Sequence, residues 1–139
     1  MKRKEERELV FKALYSLHMD PNPLDKILDD AISLNDITGE ISEYVKSSIA
    51  NIIKHKDEVD AIIERFLSNW DFKRVSPIDI SLLRLAIGEM LYISDIPPEV
   101  SINEVIELSK KYSNDNAPKF INGILDSVLK EEKGVSRPE

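Results

Sequence analysis

Cysteine is absent from the 139 residues, which excludes disulfides, thiolate metal sites and a cysteine nucleophile. Glycine is scarce, and Gly39, Gly88, Gly123 and Gly134 are scattered, so no glycine-rich loop exists to cradle a phosphate. The two histidines, His18 and His55, lack a carboxylate at the spacing of an E-x-x-H metal motif. No apolar run approaches the roughly 18 to 20 residues of a membrane-spanning helix, and no apolar signal core follows the charged N-terminus. The expectation is a soluble cytoplasmic protein with no membrane partner. Positive charge is outnumbered, with 19 Lys and Arg against 26 Asp and Glu and a net charge of -7. Broad affinity for nucleic acid rests on phosphate neutralisation, so any RNA site must be local. With no nucleophile, base or ligand cluster at usable spacing, the chain reads as a non-enzyme without cofactor or metal.

Helical periodicity is what the chain does have. A length of 139 residues with 42% hydrophobic residues suits one compact core. Apolar positions recur at helical spacing almost throughout and no period-two alternation is sustained, so the fold class is all-α, a single bundle of about seven helices. The first carries Leu9, Val10, Ala13, Leu14 and Leu17 on one face and stops at Asp20-Pro21-Asn22-Pro23. Asn22 as N-cap and Pro23 at the first helical position open the second, with Leu24, Ile27, Leu28, Ala31 and Ile32 inward. A third stripe runs from Ile41 to Ile53 and a fourth from Val59 to Leu67, with Asp57 as the N-cap candidate between them. Trp70 is expected to dock the following segment. Ser76-Pro77 starts a fifth helix with so little polar face that it belongs at the centre. Ser101 and Glu104 match a capping box and place the start of the sixth near Ile102. Phe120, Ile121, Ile124, Leu125, Val128 and Leu129 define the seventh, and residues 131–139 read as a disordered polar tail.

The first helix holds the one pattern that points to a ligand. Lys4, Arg7, Phe11, Lys12 and Tyr15 project away from Ala13 and Leu17, and aromatics among cations suit RNA, whose bases stack on rings while Lys and Arg meet phosphates. The alternative is that Phe11 and Tyr15 pack against another helix. Residues 1–8 hold four cations against three carboxylates, a balance of only +1. His18 reads as a solvent-facing residue at a helix end. Gly123, costly inside a helix, suggests close approach of a neighbour. Asn103, Asn122 and Arg84, polar in apolar surroundings, need partners from an internal network or a bound protein.

Two continuous stretches resemble the NusB family. Residues 101–110, Ser-Ile-Asn-Glu-Val-Ile-Glu-Leu-Ser-Lys, are similar to its I-N-E-A-I-E-L-A-K, and residues 119–126, Lys-Phe-Ile-Asn-Gly-Ile-Leu-Asp, to its K-F-V-N-G-V-L-D. Leu83-Arg84-Leu85-Ala86 with Glu89, and Arg7-Glu8-Leu9 through Ala13-Leu14-Tyr15, extend the likeness over the ordered chain. The resemblance implies a helical domain over residues 1–130, with lobes of about 1–55 and 56–130. It also implies a transcription antitermination factor that binds boxA-type RNA together with the ribosomal protein NusE, within the RNA polymerase antitermination complex. Carried over by position, Arg3, Lys4, Arg7 and Tyr15 become RNA-contact candidates, joined by Glu89, Tyr112, Asn116 and Lys119. Arg7 is expected to lie away from the apolar stripe, so that its loss barely affects folding.

The chain departs from the family pattern at Glu5 and Glu6, which dilute the basic segment, at Gly88 where an aromatic often precedes the glutamate, and at Pro118. Some family members self-associate over the basic helix, which leaves a homodimer open. Rival readings are an RNA-binding accessory module like that of certain ribosomal RNA methyltransferases and a protein-only interaction module.

Overall fold

Ser76 caps the Asp79 amide with its hydroxyl and Pro77 follows as the first helical residue, which opens α5 (Pro77–Tyr92) as the chain pattern requires. Every residue from 81 to 90 is buried. α5 lies against α1 (Arg3–Met19), α3 (Glu43–Lys54), α4 (Lys56–Phe66), α6 (Pro98–Tyr112) and α7 (Ala117–Gly134), while α2 (Leu24–Leu34) packs on α1 and α3. A short 3₁₀ turn, Phe72–Arg74, leads into α5. The computed structural model describes residues 2–34, 41–68 and 71–134, and within these every regular element is helical. Trp70 and residues 135–139 lie outside the described residues. Among the described residues no helix is long and apolar enough to cross a membrane.

Several boundaries differ from the sequence expectation, each for a local reason. α3 starts at Glu43 under the Ser42 hydroxyl, which accepts from the Val45 amide, while Ile41 is buried just ahead of it. α3 and α4 are separated only at His55, with no side-chain cap from Asp57. α2 begins at Leu24, and the Asn22 amide donates to the Asp20 carbonyl instead of capping. The sixth helix starts at Pro98, three residues before the expected capping box, because proline at the first helical turn forfeits no hydrogen bond. Ser101 is therefore inside α6 and fully buried. Residues 131–134 continue α7, and Arg65 meets Glu131 at 2.9 Å.

The close helix approach lies at Gly88, not Gly123. A Cβ on Gly88 would sit 2.4 Å from Cγ1 and 2.6 Å from Cδ1 of Ile52, whereas nothing stands within 4 Å of one on Gly123, which is exposed. Gly88 thus sets the distance between α5 and α3 in the core and shapes no surface. Alanine at 88 gains about 1 kcal/mol of helix propensity but overpacks a buried isoleucine, a cost of about 1–3 kcal/mol. Gly88→Ala is expected to lower the urea midpoint. Adding Ile52→Ala removes both clashing atoms, so the double variant should be more stable than the sum of the single losses.

Arg84 is a second departure from simple patterning. It is buried, donates from Nε and Nη2 to Asp60 at 2.8 and 2.9 Å, and places Nη1 3.0 Å from Nδ1 of His18. The internal network is therefore the partner it needed, and His18 is half-buried against it, not solvent-facing. An arginine only donates, so His18 accepts at Nδ1 and is neutral. Burial first, then the Arg84 charge and that of Lys56, lowers its pKa below 6.5, with Asp60 opposing. On acidification the unfolded chain takes up this proton before the folded one does. The contribution is thus present above 6.5 and is lost as pH falls towards the folded value. Between about pH 7.5 and about pH 5.5 the wild type should lose more urea resistance than His18→Gln. An equal loss in both would show that His18 is not the titrating group.

Candidate functional site

Glu89 projects from the buried face of α5 and is fully enclosed. Its carboxylate accepts from Arg7 Nε at 2.7 Å and Nη2 at 3.0 Å, from the Tyr44 hydroxyl at 2.6 Å and from the Ser101 hydroxyl at 2.9 Å. One carboxylate thereby joins α1, α3, α5 and α6. Burial alone would lower the Arg7 pKa, but the hydrogen bonds and charge of Glu89 outweigh it and raise it. Burial, reinforced by the Glu89 charge, pushes the Tyr44 phenol well above its ordinary value. Arg7 is 3% exposed, bordering the groove between α1 and α6, and Glu89 is 0% exposed, so these two side chains, which the family resemblance implied as RNA contacts, engage each other inside the protein. Arg7 lies at the edge of the apolar stripe, on the face of α1 that carries the buried Val10, Phe11 and Leu14, and α5 and α3 cover that face.

Around this buried centre the first turns of α1 face α6 across a groove of about 410 Å³. Arg3 and Lys4 are exposed, and Lys4 Nζ lies 4.0 Å from Glu104. Glu8 accepts from Lys111 at 2.7 Å and from the Tyr112 hydroxyl. Burial raises the Glu8 carboxyl, but these hydrogen bonds overcome it and hold the carboxyl below the usual range. Tyr112 is half-buried and packs on the buried Phe11 ring with centroids 5.0 Å apart. Of the open alternatives for the α1 aromatics, packing therefore holds for Phe11. Tyr15 is half-buried at the far end of α1, where it lines a separate groove with Lys12, Ser16 and Asp30 of α2.

Asn116 and Lys119 are exposed where α7 begins. Asn116 lines a cleft of about 330 Å³ with Arg74, Ser76, Asp79, Asn114 and Phe120, between the starts of α5 and α7. Asp79 is 6% exposed, accepts from the Ser113 hydroxyl at 2.7 Å, and has its pKa raised by burial against that hydrogen bond. An aromatic face, two amides, a carboxylate and a cation in one concave site can stack a flat ring and bond its edge.

The candidates thus fall into three places. Lys4 and Tyr112 lie on the α1–α6 side, with Arg3 next to them at the start of α1 but against Tyr44 of α3, while Asn116 and Lys119 sit at the α7 start and Tyr15 in the α1–α2 groove. Lys111, Asp79 and Arg74 join these places although the sequence pattern does not single them out, and Phe120, half-buried, packs against the core from the cleft. A signal for Asp79 existed in its being a carboxylate in the first turn of a helix with little polar face. Asn103 and Asn122 are exposed, so no internal partner is demanded of them. Among the described residues no group of three or more His, Asp or Glu side chains is arranged to hold a metal ion.

The model of the NusB family matches residues 4–130. A transcription antitermination protein NusB of Thermoanaerobacter sp. is 41% identical over 132 residues, covering 95% of this chain and 93% of that one. A solved NusB of T. maritima is similar with a TM-score of 0.85 and 36% identity, over 94% of this chain and 92% of that one. A crystal structure of the antitermination factors NusB and NusE in complex with dsRNA contains a chain similar at a TM-score of 0.84 and 27% identity, over 93% of this chain and 96% of that one.

Proposed function

The chain belongs to the NusB family, and from that premise we propose that it is a transcription antitermination factor that binds boxA-type RNA jointly with the ribosomal protein NusE, so that RNA polymerase transcribes ribosomal RNA processively. The observation that carries the RNA reading is the cleft between α5 and α7, where the half-buried Phe120 ring lies beside Asn114, Asn116 and Asp79. A base stacked on Phe120 meets amides that donate and accept and a carboxylate that accepts from an exocyclic amine. Arg74 and Lys119 are exposed for phosphates, and Lys4 and Lys111 on the α1–α6 side, with Arg3 at the start of α1, add further positive side chains. Tyr15 supplies a second ring for stacking. Arg7, Glu89 and Tyr112 support this surface from within and beneath, by holding α1 to its neighbours.

The role is one of binding and assembly, without catalysis, and it places the protein in the cytoplasm with the transcription machinery. Residues 1–130 act as one domain, with lobes of about 1–55 and 56–130 joined through α5. Self-association over α1 would compete with RNA.

Titration of a labelled boxA-type RNA with the protein and NusE tests the reading. Phe120→Ala and Tyr15→Ala should each weaken binding by about 1–3 kcal/mol, the range for one lost base stack, with circular dichroism of the folded variants unchanged. Full affinity in Phe120→Ala would remove the cleft from the RNA path. No binding by the wild-type pair would leave a protein-only module.

A further inference from the structure

The most basic stretch of the chain is also its N-terminal end, where a helix frays unless something holds it. Lys2 occupies the N-cap position of α1 and makes no side-chain cap. What holds this end is a side chain from a different helix. The Arg3 guanidinium carbon lies 4.1 Å from the centroid of the Tyr44 ring, and that of Arg7, one turn on, lies 5.9 Å away. Tyr44 itself is 8% exposed and anchored through its hydroxyl to Glu89. Arg3 remains 45% exposed at its side chain, and its Nε is 3.4 Å from Glu6.

We propose that Tyr44 is a positioning residue for RNA binding: its ring, anchored in the core by Glu89, seats the Arg3 guanidinium and presents it at the exposed start of α1 for a phosphate. This rests on the RNA-binding reading given above. The chemistry favours arginine at this place. Stacking engages the flat face of a guanidinium and leaves its in-plane N–H groups for a bidentate phosphate contact, which an ammonium cannot reproduce. An oriented arginine also loses less side-chain entropy on binding than one free in solvent. The diluting Glu5 and Glu6 make such orientation more consequential, because few cations must do the work that a run of arginines does by number. Tyr44 lies on α3, outside the basic segment, and touches no RNA.

The ring and the hydroxyl of Tyr44 separate positioning from stability. Tyr44→Leu keeps apolar bulk and loses the seat, whereas Tyr44→Phe keeps the seat and loses only a hydrogen bond to Glu89. With boxA-type RNA and NusE, Tyr44→Leu should weaken binding about tenfold, the lower end for one charge-assisted hydrogen bond. It should also make the slope of log affinity against log salt shallower by about 0.7, one single-strand phosphate contact. Arg3→Ala, at an exposed site that does not threaten folding, should do the same, and the double variant should be no weaker than either. Tyr44→Phe should keep the wild-type affinity and slope although it unfolds at lower urea. In the free protein the Arg3 side-chain proton signals should be shifted by the ring and lose that shift in Tyr44→Leu. RNA binding by the wild type with an unaltered salt slope in Tyr44→Leu, or additive losses in the double variant, overturns the positioning role alone. Absence of RNA binding by the wild-type pair overturns the functional reading and this inference with it.

Discussion

Arg7→Glu is expected to leave the protein largely unfolded under ordinary conditions. The substitution removes the bidentate partner of Glu89 and sets a second carboxylate into the same closed space. Breaking a buried ion pair from one side costs about 3–5 kcal/mol, because the remaining charge is left without water or counter-charge. Two facing carboxylates add to that cost. A domain of this size has about 5–15 kcal/mol of stability in all, so the variant stands at or beyond the edge of folding. The uncompensated charge, and not the loss of the ion pair as such, is the cause. Arg7→Met with Glu89→Gln removes both charges, retains an acceptor for Tyr44 and Ser101, and should recover most of the lost stability. Urea unfolding of the three proteins with unchanged slope decides it. An Arg7→Glu midpoint close to that of the wild type would mean that the ion pair does not exist in solution. For functional work the consequence is direct: loss of RNA binding in Arg7→Glu reports folding, and the exposed Arg3 and Lys4 are the positions at which charge can be varied without that confusion.

The second large effect concerns the partner. RNA binding is expected to be weak for the lone protein and tighter by about 10²-fold or more in the complex with NusE, the scale on which linked sites exceed separate ones. With a net charge of -7 and a balance of +1 over residues 1–8, long-range attraction to phosphate is small. The exposed cations also spend part of their charge internally: Lys111 on Glu8, Arg3 near Glu6, Lys4 near Glu104. Each phosphate contact contributes about -0.7 to the salt slope for a single strand, so the lone chain should show a shallow slope and the pair a steeper one. Fluorescence anisotropy of labelled boxA-type RNA across a salt series, for protein, NusE and pair, measures both quantities. Equal affinity with and without NusE would show that this chain carries the RNA site unaided.

Helix number, the central place of α5, the cap at Ser76 and the non-polar faces of α1, α3 and α7 were legible in the sequence. Each depends on residues within a few positions of one another, and helical periodicity states which face must leave water. Four features were not legible: the Arg7–Glu89 pair, 82 residues apart; the Arg84–His18 contact, 66 apart; the seat of Arg3 on Tyr44; and the cleft between α5 and α7. A charged residue off the apolar stripe satisfies the rule for a solvated face equally well whether or not another helix closes over it. Arg7 shares its face of α1 with Val10, Phe11 and Leu14, at i+3, i+4 and i+7, yet spacing cannot say whether a charge at the edge of that stripe is solvated or enclosed, and only the packing shows that α3 and α5 cover it. For the same reason Ser101 read as a helix cap, when it is a buried donor to Glu89 because Pro98 had already begun the helix. The sequence by itself determined which segments are helices and which stripe each must bury. Only the packing of α5 against five of the others decided which polar groups are enclosed and paired and which remain at the surface for a ligand, since desolvation depends on what covers a side chain and not on its neighbours along the chain.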